Sequence, residues 1–120
     1  MPLQPFDIVV VPFPYTDRLA EKRRPAVVIS ATTVNDLYKL AWLAMITSAV
    51  NPRWDCDVNI SDINSTGLPA PSRIRPVKIA TADVGRIVRK IGHLSSADAK
   101  ALQAKLLSFL WAKGLSRSTE

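Results

Sequence analysis

The apolar residues of this chain arrive in short runs, each closed by proline or turn residues, and that spacing constrains the fold more than any other feature. Residues 6–13 form a nearly continuous Val-rich run, the pattern of a buried strand, and Pro12-Phe13-Pro14 closes it. The polar stretch 15–23, with Thr16, Asp17, Arg18, Glu21, Lys22 and Arg23, reads as a loop. Pro25 holds Arg24 extended, and 26–29 follows as a second strand. Residues 38–48 suit a helix or a strand by periodicity, and the turn chemistry of Thr47-Ser48 and Asn51-Pro52 favours the strand. Residues 55–60 predict a short edge strand and 64–72 a loop. Residues 74–81 predict a strand with Pro76 at an edge or a bulge, and 86–91 a last strand between Gly85 and Gly92.

The one clear helix comes last. Ser95-Ser96-Ala97-Asp98 resembles a capping box with Asp in place of Glu. Leu102, Leu106, Phe109 and Leu110 then share a helical face, Lys113 complements the dipole and Gly114 is a stop. With no repeat and no linker, the 120 residues predict a single domain, 1–120, with an ordered core over about 6–113 and a frayed tail at 114–120. Five or six short strands and a terminal helix predict a small, strongly bent sheet or barrel.

Composition removes several function classes. Four glycines without a G-x-G-x-x-G or P-loop pattern give no nucleotide cradle. Cys56 is the only cysteine and His93 the only histidine, so there is no internal disulfide and no cysteine–histidine zinc site within one chain. The longest stretch without charged or polar side chains, 8–15, is broken by Pro12 and Pro14, far short of a membrane span. The N-terminus lacks a basic signal region, which predicts a cytoplasmic protein.

Charge points towards a polyanion. Sixteen Lys and Arg against ten Asp and Glu give +6. Lys22-Arg23-Arg24 forms one basic group, and Arg73, Arg75, Lys78, Arg86, Arg89 and Lys90 form a second that contains one acid, Asp83. Prolines flank both groups and fix where their side chains point, and arginine's planar fork suits phosphate. Trp54, beside Arg53, suits stacking on a base or covering a hydrophobic edge.

The ordered segments 6–17 (FDIVVVPFPYTD), 22–30 (KRRPAVVIS), 44–48 (AMITS), 67–72 (GLPAPS), 78–83 (KIATAD) and 91–95 (IGHLS) resemble the PemK/MazF family of toxins from toxin–antitoxin pairs. That resemblance covers roughly residues 6–110. It implies an SH3-like β-barrel with a C-terminal helix, acting as a homodimer. It implies a metal-independent, cofactor-free endoribonuclease that cuts single-stranded RNA and is inhibited by an antitoxin with an acidic segment. By motif, Arg24 and Thr47 match the family's catalytic Arg and Thr. Lys22, Arg23, Ser48, Arg73, Arg75 and Lys78 are the expected RNA-binding set, with Asp7, Asp17 and Asp83 in support. Three positions depart from the family pattern: Phe6 stands where a Gly is usual, Ala80 where Arg or Lys is common, and Val77 where some members have an acid. Two other functions suit the same fold: a non-enzymatic toxin that grips DNA gyrase, and a nucleic-acid-binding module without catalysis.

Overall fold

The computed structural model describes residues 2–14 and 21–111. Six strands form one antiparallel sheet: β1 (Asp7–Pro14), β2 (Glu21–Val28), β3 (Leu40–Ser48), β4 (Val58–Asn59), β5 (Ser72–Asp83) and β6 (Arg89–His93). Their order is β4-β5-β3-β2-β1-β6, and the sheet curls into a half-barrel closed on one side by the helix α2 (Ser96–Leu110). The expected architecture, a small mainly β barrel of SH3-like type with a terminal helix, is the one observed.

Alternation explains the two cores. Val9, Val11, Ala26, Val28, Ala41 and Leu43 pack together on one face with Leu3 and Ile87. Ile8, Val27, Ala44, Ile46 and Ile74 pack on the other, against Leu94 and Leu102. Both faces are covered, so β1–β3 read as continuous apolar runs rather than as strict alternation.

Prolines mark the irregular points. Pro76 is buried in β5, a central strand, at a register shift: Met45 pairs with Arg75, and the preceding residue of β3, Ala44, pairs with Ile79. It therefore occupies a bulge, one of the two places a proline tolerates in a sheet. Pro25 lies in β2 opposite Val10, and the β2–β3 ladder ends at Ala26↔Met45, immediately before it. Pro25 has no N–H with which to extend that ladder.

Several local expectations need correction. Residues 21–23 belong to β2 rather than to the loop, because β1 offers them partners as far as Pro14↔Glu21. A short helix α1 (Thr32–Leu37) was not foreseen. It is held by long-range polar contacts: buried Asn35 accepts from the Ser30 hydroxyl at 2.6 Å and donates to the Leu3 carbonyl at 3.3 Å. The last strand starts three residues late, since Val84–Arg86 forms a 3₁₀ turn. Phe6, where the family usually has Gly, keeps the left-handed backbone at φ 73°, and its ring packs on the second core. The backbone leading into Asp7 thus has the sign a glycine would allow, without one.

The 3₁₀ turn Asn64–Thr66 approaches β6 too closely for side chains at either contact. Gly67 has φ +74°, and a Cβ there would meet the Ile91 carbonyl, while one on Gly92 would meet the backbone of Ser65 and Thr66.

Helix α2 begins as expected, with the Ser95 hydroxyl accepting from the Asp98 N–H at 3.2 Å. The Asp98 carboxylate also reaches beyond the cap. It accepts from Ser61 N at 2.9 Å, Ser61 Oγ at 2.7 Å and Asp62 N at 3.2 Å, tying the helix to the segment after β4. Burial alone would raise its pKa, but these hydrogen bonds outweigh that and hold it below the ordinary carboxylate range. Asp98→Ala strands two backbone N–H groups and should cost about 2 kcal/mol in urea denaturation. Because the folded-state pKa is depressed, this contribution is present at neutral pH and is lost as pH falls through the acidic range. Of the predicted helical face, Leu102 is buried and Leu106 half-buried, but Phe109 and Leu110 are 52% and 64% exposed. The expected stop at Lys113-Gly114 and the tail 114–120 lie outside the described residues.

Candidate active site

Strand register assembles the site. In antiparallel ladders paired residues share a face. Val11 pairs with Arg24, Thr47 with Arg73, and Met45 with Arg75. Arg24 lies two residues past the last β2–β3 rung, Ala26↔Met45, and so shares the face of Met45 and Thr47. Arg24, Thr47, Arg73 and Arg75 thus lie on one face at one end of three adjacent strands. Lys22, paired with Phe13, continues that face, whereas Arg23 and Ser48 alternate to the other. Arg24, Thr47 and Arg73 are half-buried, and Lys22, Arg23, Ser48 and Lys78 are exposed.

The supporting acids fall elsewhere. Asp7 pairs with His93, four residues along β1 from Val11 and so about 13 Å away. It is buried as a structural acceptor, taking the Gln4 N–H at 2.9 Å and lying 3.5 Å from Lys90 Nζ. Asp83 pairs with Leu40, about 23 Å along β3 from Thr47. These two positions do not belong to the site, and Asp17 lies outside the described residues. The second basic group is also divided. Arg73, Arg75 and Lys78 lie on β5, while Arg89 and Lys90 lie on β6 at the far edge of the sheet.

Arg75 is not an open phosphate ligand. Its guanidinium forms a buried bidentate pair with Asp57, Nε to Oδ1 at 2.9 Å and Nη2 to Oδ2 at 2.8 Å. Nη2 also donates to the Pro52 carbonyl at 3.1 Å, and Cζ stacks 3.9 Å from the centre of the Trp54 ring. Asp57 accepts from the Trp54 N–H at 2.9 Å and donates its own N–H to the Trp54 carbonyl. The Arg75 hydrogen bonds hold the Asp57 pKa below the ordinary range, and Asp57 raises that of Arg75. Lys78 Nζ lies 5.7 Å from the same ring. The acid that Arg75 meets comes from the loop before β4.

Two further contacts bind the start of that loop to the strands. Asn51 Nδ2 donates to Thr47 Oγ1 at 2.9 Å, and Arg73 Nη1 donates to the Asn51 carbonyl at 3.0 Å. Sequence reasoning passed over Asn51 and Asp57. Asn51 reads there only as a turn residue, and Asp57 is 18 residues from its partner.

The matching family profile, described as PemK-like, MazF-like toxin of type II toxin–antitoxin system, spans residues 4–110. The chain belongs to that family. Solved structures share the fold. MazF-mt6 of Mycobacterium tuberculosis is 23% identical with a TM-score of 0.67, covering 83% of this chain and 91% of that one. A MazE–MazF structure from Deinococcus radiodurans is 18% identical with a TM-score of 0.74, covering 92% and 96%. A mycobacterial endoribonuclease in complex with its cognate antitoxin is 12% identical with a TM-score of 0.71, covering 92% and 98%. No curated protein sequence matches the chain. Among the described residues of this MazF-like toxin, no helix is long and apolar enough to cross a membrane.

Proposed function

We propose that this MazF-like toxin is a sequence-selective, metal-independent endoribonuclease that cleaves single-stranded RNA, acts in the cytoplasm as a homodimer, and is neutralised by an antitoxin whose acidic segment covers the cationic face. The observation that supports this reading is strand pairing that puts Arg73 opposite Thr47, with Arg24 on the same face two residues past the last β2–β3 rung.

RNA supplies its own nucleophile. The 2′-OH attacks the adjacent phosphorus, the P–O5′ bond breaks, and the products are a 2′,3′-cyclic phosphate and a 5′-OH end. Negative charge builds on the non-bridging oxygens as the phosphorane forms. Arg24 gives charge-assisted hydrogen bonds there, and arginine stays protonated throughout. The Thr47 hydroxyl is a second, neutral donor to the same oxygens. Lys22 and Lys78 are exposed cations along the strand's path, and they add salt-dependent affinity. The remaining expected contacts, Arg23 and Ser48, lie on the other face, which assigns them at most to RNA beyond the cleaved linkage. Arg75 acts from beneath by holding the loop 51–57.

Cleavage of single-stranded RNA in EDTA should leave 5′-OH ends, and one 2′-deoxy substitution at the cut site should abolish it. A deoxy-substituted strand cut as fast as its ribose parent would rule out the 2′-OH route. Intact RNA at every sequence tested, with gyrase retained on the immobilised toxin, would replace the nuclease with the gyrase-binding reading.

A further inference from the structure

We infer that Asn51 is a positioning residue that fixes the direction of the Thr47 hydroxyl, so that its single proton points at the bound phosphate. This inference rests on the proposed role of Thr47.

A hydroxyl has one proton to give and two lone pairs to accept with. Left alone it rotates, and a neighbouring carbonyl or carboxylate captures the proton. At Thr47 the neighbour is the side-chain amide nitrogen of Asn51, 2.9 Å from Oγ1. That nitrogen only donates, so it occupies a lone pair and leaves the proton for another acceptor. Among the described residues the Thr47 hydroxyl makes no second hydrogen bond. Its ladder partner Arg73, and Arg24 on the same face two residues past the last β2–β3 rung, bear only donors on their side chains. A non-bridging phosphate oxygen therefore meets donors alone.

Asn51 is itself fixed. Its N–H donates to the Ser48 carbonyl at 3.0 Å, closing the turn after β3. Its carbonyl accepts from Arg73 Nη1 at 3.0 Å. The amide is thus held through its backbone on both sides, and the direction of the Thr47 proton is set before RNA arrives. Arg73 enters the site as the residue that holds Asn51 in place.

The test is a double-mutant cycle of Asn51→Ala and Thr47→Val. Single-turnover rates are read on a long single-stranded RNA of mixed sequence at saturating toxin, by counting new 5′-OH ends. Asn51→Ala should slow cleavage about tenfold, the size of one neutral hydrogen bond, with the RNA concentration dependence unchanged. In the Thr47→Val background the same substitution should change nothing, because no hydroxyl remains to orient. Asn51→Asp keeps the shape and removes the donor, so its loss should likewise shrink when Thr47→Val is present. This second variant carries the cycle if Asn51→Ala lowers the melting temperature. Equal losses in both backgrounds, or no loss with Thr47 present, would overturn the inference and leave the role of Thr47 intact. A fully active Thr47→Val toxin would remove both.

Discussion

Arg24→Ala should slow RNA cleavage by about 10²–10³-fold while the protein keeps its melting temperature and its oligomeric state. The size follows from where Arg24 acts. It shares a face with Thr47, and in the proposed mechanism the charge it stabilises exists only as the phosphorane forms. Its loss therefore appears in the rate at saturating RNA rather than in binding. Stability should hold because the side chain is half-exposed, in the part of β2 past the last rung to β3. Arg24→Lys should recover only part of the rate, since an ammonium lacks the planar fork. An Arg24→Ala protein that cuts RNA at the original rate would leave the site without its main electrostatic group.

Asp57→Ala should be the most destabilising single change at the site, at about 3–5 kcal/mol. The Asp57 side chain is fully buried and that of Arg75 is 10% exposed, so removing the acid leaves a guanidinium in the interior without its counter-charge. For a chain of this size the loss reads as a fall of roughly 10–20 °C in melting temperature. Replacing both partners, Asp57→Ala with Arg75→Met, should recover much of it, because no charge is then left unpaired. The acid limb of the stability profile should change as well. The folded-state pKa of Asp57 is depressed, so its contribution is complete at neutral pH and disappears as pH drops through and below the ordinary carboxylate range. The variant should lose that part of the acid sensitivity. Activity should fall with stability, since the same pair carries Trp54 and the loop that reaches Thr47 through Asn51.

How far the sequence could be read depended on the range of the forces involved. Local backbone chemistry was legible: Pro25 predicted an extended Arg24, Pro76 an irregularity in its strand, and Ser95 a helix start, and each is found. Helix α1 was not legible, because it depends on Asn35 reaching Leu3, 32 residues away. Residues 21–23 looked like loop because they are charged, yet a strand of a small sheet can carry charge on its solvent side. Motif order brought Arg24 and Thr47 to attention, and the β2–β3 pairing sets them on one face. The two acids given in support lie farther off, Asp7 opposite His93 and Asp83 opposite Leu40. Arg75 carried the right charge in the right place, but only the pairing of distant segments reveals that Asp57 has already claimed it.

A ring that closes on its own nitrogen also keeps a seam from closing. Were residue 25 able to offer a hydrogen, β2 and β3 could zip onward by two rungs and draw position 24 against position 47. Lacking it, the β2–β3 ladder stops at Ala26↔Met45, short of the two positions where the proposed substrate would bind. Pro25→Ala should therefore produce a sturdier, slower toxin, in which the fold gains a seam and the substrate loses its berth.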